Sequence, residues 1–331
     1  MTGIRREFVK SRPKILCAPT HERYQSYMSD LDFDFYMINL KGWKKWERTY
    51  ASPPKNHREI NSLTPDLTPD LVFAQQKSGQ FQLFSEISAS LKIPLVSLTH
   101  ILPPQNMDEK IRYSFLSMQG QENVFLSSLS RDLWGFPEES STVIKQCVDS
   151  DFWRPISCKK KNLILSVVNE FDKRDDACNY SGWLKSTKGL PTKIIGSSST
   201  GISTPAASLE DLRASYNSAK VFFNSSTNST FPFSLFEAMS CGACVVSSAT
   251  SMIPDVIKNG QNGFLYDVNN PNDGRDLLAH ILSLPDDTVE AIGKNARKTI
   301  EENFSKKEFT ESWTNLFNKA LNENPYNTRS A

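Results

Sequence analysis

The densest chemistry in the chain lies at residues 229–267, STFPFSLFEAMSCGACVVSSATSMIPDVIKNGQNGFLYD. This run reads as a turn, a short helix, a glycine stop, a buried strand, a loop and a hairpin-like Asn-Gly pair. The first amides of the helix, around Phe233, Ser234 and Leu235, have no intrahelical acceptor and form an anion-binding end. Glu237 follows about one turn later. A carboxylate there suits the two hydroxyls of a ribose, so phosphate on the amides and ribose on the acid would make a nucleotide site. On residue types alone, a surface glutamate on an ordinary helix accounts for the same pattern. His100 ends an expected strand, Leu95–Leu98, at the carboxyl edge where α/β sheets hold ligands, although a lone histidine is more often structural.

A second cluster spans residues 41–58, KGWKKWERTYASPPKNHR, where six lysines and arginines stand against Glu47 alone. Trp43, Trp46 and Tyr50 are interleaved with them, including Lys44 and Lys45. Aromatic faces stack on sugars or bases and lysines follow phosphates, so the patch suits a saccharide, an anionic lipid headgroup or a nucleic acid. A solvated loop with its tryptophans anchored in the core is the competing account, and no nucleic-acid recognition fold accompanies the patch. Cys241 and Cys244 form one CxxC. With no second CxxC and four histidines in the chain, a closed zinc site lacks ligands, and packing at the start of a strand is the expected role.

The elements that position these residues follow from patterning. The chain has 331 residues, enough for two domains, with 38 Lys plus Arg against 37 Asp plus Glu, so no global field drives it onto nucleic acid or acidic membranes. Six dispersed cysteines read as reduced thiols. No apolar run reaches the length of a membrane helix, and the start, MTGIRREFVKSRPK, lacks an apolar signal core; the expected address is cytoplasmic.

Short Val/Ile/Phe-rich runs alternate with helical patterns, the mark of βαβ units around parallel sheets. In the first half Lys14–Ala18, Phe33–Ile38, Leu71–Ala74, Leu95–Leu98 and Val124–Leu126 are expected strands, with a helical face of Phe81, Phe84, Ile87 and Leu91. In the second half Asn162–Val168, Thr192–Ile195, Val221–Phe223 and Cys244–Ser247 are expected strands, with helices near Leu209–Ala219, Ser234–Met239 and Asp273–Leu284. VIKQCVDSDFWRP, residues 143–155, is the expected boundary. Ser305 and Glu308 have capping-box spacing ahead of an apolar stripe of Phe309, Trp313, Leu316, Phe317, Ala320 and Leu321.

FPFSLFEAMSCGACVV followed by IPDVIKNGQNGFL resembles the donor-binding signature of retaining glycosyltransferases of the GT-B fold, family four (glycosyl transferases group 1). VIKQCVDSDFWRP resembles that family's interdomain segment, ASLEDLRASYNSAKVFFNSS its helix and strand before the signature, and PLVSLTHILPP its histidine-bearing acceptor-side loop. The resemblance implies an α/β fold of two Rossmann-like domains facing a cleft. An acceptor-side domain would occupy residues 1–150 and a donor domain 151–304, with a C-terminal helix and tail, 305–331, crossing back.

The implied function is transfer of a sugar from a nucleoside-diphosphate sugar to a hydroxyl of a saccharide, lipid-linked glycan or protein, with retention and without cofactor or metal. Two alternatives are glycosylation of hydroxylated bases of phage-like DNA through Trp43, Lys44, Lys45 and Trp46, and a non-catalytic nucleotide-sugar or glycan-binding module. In the family a basic pair after the first donor-domain strand holds the diphosphate; the matching stretch is VVNEFDKRDD, with Arg174 ahead of Lys173, and a solvated charge run as the competing account. By the same resemblance Glu237 takes the ribose and His100 contacts the transferred sugar. His21, in PTHER, stands where the family often has glycines near the diphosphate. One departure is plain: the first of the family's two glutamates is replaced by Ser229, a polar-for-acid change that resembles some phage-like and cyanobacterial-like members. That leaves Ser229 or Thr230 with a hydroxyl but no charge for the sugar.

Overall fold

A computed structural model describes residues 11–77, 79–104, 107–324 and 326. The start of the chain and the tail beyond Tyr326 lie outside the described residues. Seven strands form the first sheet: β1 (Lys14–Cys17), β2 (Asp34–Ile38), β3 (His57–Ile60), β4 (Leu71–Ala74), β5 (Leu95–Thr99), β6 (Glu122–Phe125) and β7 (Thr142–Val143). Five more form the second: β8 (Lys161–Val167), β9 (Thr192–Ile195), β10 (Ala219–Asn224), β11 (Cys244–Ser248) and β12 (Phe264–Tyr266). The orders are β3-β2-β1-β4-β5-β6-β7 and β12-β11-β10-β8-β9, and every pairing is parallel.

Strand periodicity sorts the core. In the first sheet Ile15, Cys17, Leu71 and Phe73 face one side, and Leu16, Val72 and Ala74 the other. Phe81 and Phe84 of the helix Gly79–Leu91 cover the second side, whereas Leu91 is turned outward. The first side is covered by the helix Lys306–Asn322, whose N-cap Ser305 accepts from the Glu308 amide. Its Trp313 and Phe317 lie 5.1 and 5.4 Å from Phe73 between ring centroids, and the Trp313 indole donates to the Tyr24 hydroxyl at 3.0 Å. Burying an aromatic of this size contributes about 1.5–3 kcal/mol, so the stripe is a strong clamp.

In the second sheet Leu165, Phe222 and Val245 face the helices Leu209–Ser218 and Phe233–Ser240; Ile164, Val221, Phe223 and Val246 face Trp183, Leu278 and Ile281. Residues 144–153, between the sheets, are bonded to both halves. The Val148 amide donates to the Phe304 carbonyl at 3.0 Å, and Arg297 donates to the carbonyls of Trp153, Ser240 and Ser150.

Two expectations fail. The Asn262–Gly263 pair does not make a hairpin: the Gly260 amide bonds back to the Gly263 carbonyl, and the chain leaves as β12, parallel to β11. The basic-aromatic patch is not all loop, because His57 and Arg58 begin the edge strand β3. Its two tryptophans pack inward, as the competing account expects. Trp46 is buried and donates to the Ala51 carbonyl at 2.6 Å, and Trp43 packs edge-on against Phe84 at 5.8 Å. Lys44 is held by Glu22 at 2.6 Å, leaving Lys45 exposed without an outward indole beside it, so base stacking on modified DNA finds no support.

Candidate active site

Each sheet has a topological switch point, where neighbouring strands lead away in opposite directions and leave a crevice at their carboxyl ends. In the first sheet it lies between β1 and β4, and in the second between β8 and β10. The segments leaving β1, β8 and β10 meet around a cavity of about 380 Å³. His21, Glu22 and Arg23 enter after β1, Val168, Asn169 and Arg174 after β8, and Ser226, Ser229 and Phe231 after β10. Phe233, Ser234 and Glu237 come from the helix that follows. Among the residues expected from sequence, Arg174, Ser229, Phe233, Ser234 and Glu237 line this cavity, and Lys173, although exposed in the same 3-10 turn Phe171–Arg174, does not. Thr230 is buried behind the wall with its hydroxyl unpartnered, and Leu235 is fully buried.

The helix Phe233–Ser240 begins at Pro232 without a side-chain cap and stops at Gly242, which takes φ +74°. The Phe233 amide, expected among the free donors, is bonded to the Phe231 carbonyl at 3.1 Å, so the anion-facing amides reduce to Ser234 and Leu235. Phe233 contributes its ring instead. It stacks on His21 at 4.9 Å, and His21 stacks on His100 at 5.8 Å, placing His21 as the middle ring. His100 sits behind it, edge-on to Tyr24 at 4.8 Å, with Nε2 3.4 Å from the Gln75 amide oxygen. His21 Nδ1 accepts the Tyr24 amide and caps the helix Glu22–Ser26.

Burial, with Lys44 nearby, brings the His21 pKa down to about 4, and burial with His21 and Lys44 brings His100 to about 3. Both rings are neutral at pH 7, and because His21 Nδ1 already accepts from the Tyr24 amide, its Nε2 carries the proton and is a donor. Burial also takes His57 to about 3. These groups bind protons more readily when unfolded, so stability holds above the ordinary histidine pKa near 6.5 and falls between there and about 3. Urea unfolding at pH 7, 6 and 5 is expected to show this decline, about 1.4 kcal/mol per pH unit for each proton taken up. A flat profile would contradict the buried neutral state.

Glu237 is 1% exposed, and both its oxygens are engaged. Oε1 accepts from the Arg23 guanidinium, which comes from the opposite half of the molecule, and Oε2 accepts from the Tyr216 hydroxyl at 3.0 Å. Burial pushes the Tyr216 phenol pKa far up, keeping its proton available for that bond. Arg23 also lies over the Trp153 ring at 5.2 Å. Sequence reasoning missed Arg23 and Tyr216. The available signal was a cation in the first turn after β1, at the ligand edge of the sheet.

The CxxC is a packing feature: Cys241 and Cys244 are buried free thiols whose pKa values burial raises to about 12. Asp175, beside Asp176, accepts from the Ser181 amide and hydroxyl at 2.7 Å each. Among the described residues no group of three or more His, Cys, Asp or Glu is placed to hold a metal ion, and no helix is long and apolar enough to cross a membrane.

The two facing parallel sheets and their cleft define an α/β architecture of the GT-B type. Residues 202–299, which include the Phe233–Ser240 helix and Glu237, match the family model described as Glycosyl transferases group 1. Among curated proteins, the sulfoquinovosyl transferase SQD2 of Arabidopsis thaliana is 37% identical over 97 residues, 28% of this chain and 18% of the relative. The poly(ribitol-phosphate) alpha-N-acetylglucosaminyltransferase of Staphylococcus aureus is 26% identical over 225 residues, 64% of this chain and 43% of the relative. The chain thus spans less than half the length of these relatives. HepE of Anabaena, solved with UDP and glucose, superposes with a TM-score of 0.75 at 12% identity, covering 93% of this chain and 100% of that one. The sucrose-phosphate synthase of Thermosynechococcus elongatus gives 0.73 at 12%, covering 94% and 100%. Residues 202–299 thus resemble the group 1 glycosyltransferases, in a chain whose fold is of the GT-B type.

Proposed function

We propose that the protein transfers a sugar from a nucleoside-diphosphate sugar to an acceptor hydroxyl, with retention of configuration and without a divalent cation. The observation that carries this reading is the convergence of Glu237, Ser234 at the open end of its helix, and Arg174 on one cavity at facing switch points. In that cavity Glu237 accepts the ribose hydroxyls, while the helix amides and Arg174 oppose the diphosphate. Negative charge grows on the diphosphate as the glycosidic bond breaks, and a guanidinium already in place stabilises it without reorganisation. His21, neutral and facing the cavity, orients the sugar by a single hydrogen bond rather than attacking it, and His100 backs the His21 ring from behind. Ser229 supplies a hydroxyl where charge would otherwise assist the sugar. The acceptor is a hydroxyl of a saccharide, lipid-linked glycan or protein, and the UDP and UDP-glucose complexes of HepE make UDP-sugars the first donors to try.

Incubation with a panel of nucleotide sugars, read as free nucleoside diphosphate by chromatography, tests the reading. Donor-dependent release is expected, and it should survive excess EDTA. Loss of activity with EDTA, restored by Mg²⁺ or Mn²⁺, would overturn the metal-free part. Tight donor binding without any release would favour the non-catalytic module, the reading that the Ser229 substitution specifically supports.

A further inference from the structure

We infer that Arg23 is a donor-binding residue that changes partners, its guanidinium yielding the Glu237 carboxylate to the ribose and taking the diphosphate in exchange. This deepens the proposed function and rests on it.

Four observations carry the exchange. A ribose diol bonds to a carboxylate through both oxygens, yet Glu237 gives Oε1 to Arg23 and Oε2 to Tyr216. Among the described residues Glu237 is the hydrogen-bond partner of Arg23, so most of the five guanidinium donors remain unused. The second attachment of Arg23, the face of Trp153, is an undirected cation–π contact that tolerates movement of the head group. Finally, Arg23 lines the same cavity as Arg174 and Ser234, the side on which an anion is received, and also the adjoining cavity of about 460 Å³ beside Gly196 and Ser197.

Stripping a buried carboxylate of its cation is costly, and neutral hydroxyls alone compensate poorly. The Glu237–Arg23 pair therefore opens only when a second anion receives the guanidinium, and the diphosphate is that anion. Ribose recognition and diphosphate recognition become one event. A free nucleoside, offering hydroxyls but no phosphate, competes against Arg23 and binds weakly. The arrangement also ties donor binding to the relation between the two halves, because Arg23 belongs to the first and Glu237 to the second.

The test is titration of the full chain, wild type, Arg23→Gln and Arg23→Lys, with UDP, GDP and ADP and with uridine, guanosine and adenosine. Calorimetry serves for the diphosphates and ligand-observed NMR for the nucleosides. The diphosphate that binds wild type is expected to bind Arg23→Gln about tenfold more weakly or worse, while its parent nucleoside binds that variant more tightly than wild type. Arg23→Lys, which keeps the charge and loses the fork, should fall between on both measures. If Arg23→Gln does not fold, the Arg23→Lys arm decides by the same opposite-signed shifts. Equal weakening of nucleoside and diphosphate would make Arg23 a fixed support for Glu237 and overturn the exchange, as would no change in either. Failure of wild type to bind any of the three diphosphates refutes the nucleotide-sugar reading itself, and is seen before any variant is compared.

Discussion

Replacing Glu237 by glutamine is expected to weaken binding of the nucleoside diphosphate by about 1.5–3 kcal/mol, ten- to more than a hundredfold in Kd, the range for hydrogen bonds to a charged group. Glutamine keeps the shape and one acceptor but loses the charge. It also weakens the bond from Arg23 across the cleft, and since that pair is 1% exposed on the glutamate and 19% on the arginine side chain, a drop in stability accompanies the loss of affinity. Calorimetric titration on a variant whose fold has been checked by circular dichroism decides it. Unchanged affinity would remove Glu237 from the donor site.

Arg174→Ala has its largest expected effect on turnover rather than binding. The residue is exposed at the cavity edge, so its removal leaves the core intact. Its guanidinium meets a diphosphate whose charge is greater in the transition state than in the bound donor, and deleting such a preorganised donor typically costs about 10²–10³ in kcat. KM should change far less. Steady-state kinetics with the active donor separate the two parameters. If Arg174→Ala is silent and Lys173→Ala is not, the clamp belongs to the neighbouring side chain, and the cavity wall as drawn is wrong.

How far the sequence speaks depends on the distance over which each feature is decided. Leu71–Ala74 is a strand buried on both faces, and four apolar residues in a row announce it. The terminal helix announces itself by its cap and stripe, because both signals lie within one element. β3 was illegible: His57, Arg58 and Glu59 are polar, and an edge strand needs only one partner and no apolar alternation. β12 was hidden for the opposite reason, since Asn-Gly is a hairpin signal that parallel pairing with β11 overrides. At the site, Glu237 and the helix amides were readable from local spacing. The loss of the Phe233 amide to a turn was not, because it depends on how Phe231–Pro232 bends. Arg23 lay further out of reach. Its bond to Glu237 joins residues 214 apart, and no local pattern encodes a contact made only when two sheets face each other.

The helix that covers the first sheet has a consequence for the order in which the molecule is made. β1 to β7 have been synthesised by residue 143, but the apolar face carrying Phe35 and Phe73 waits for Phe309, Trp313 and Phe317. The bond between Tyr24 and Trp313 spans 289 residues. At about 5–20 residues per second the gap amounts to roughly ten to thirty seconds, during which the second sheet, whose strands lie together in sequence, emerges whole. The half that is synthesised first is thus the half that is finished last. Until then its exposed aromatic face is the stretch of the nascent protein most in need of a chaperone.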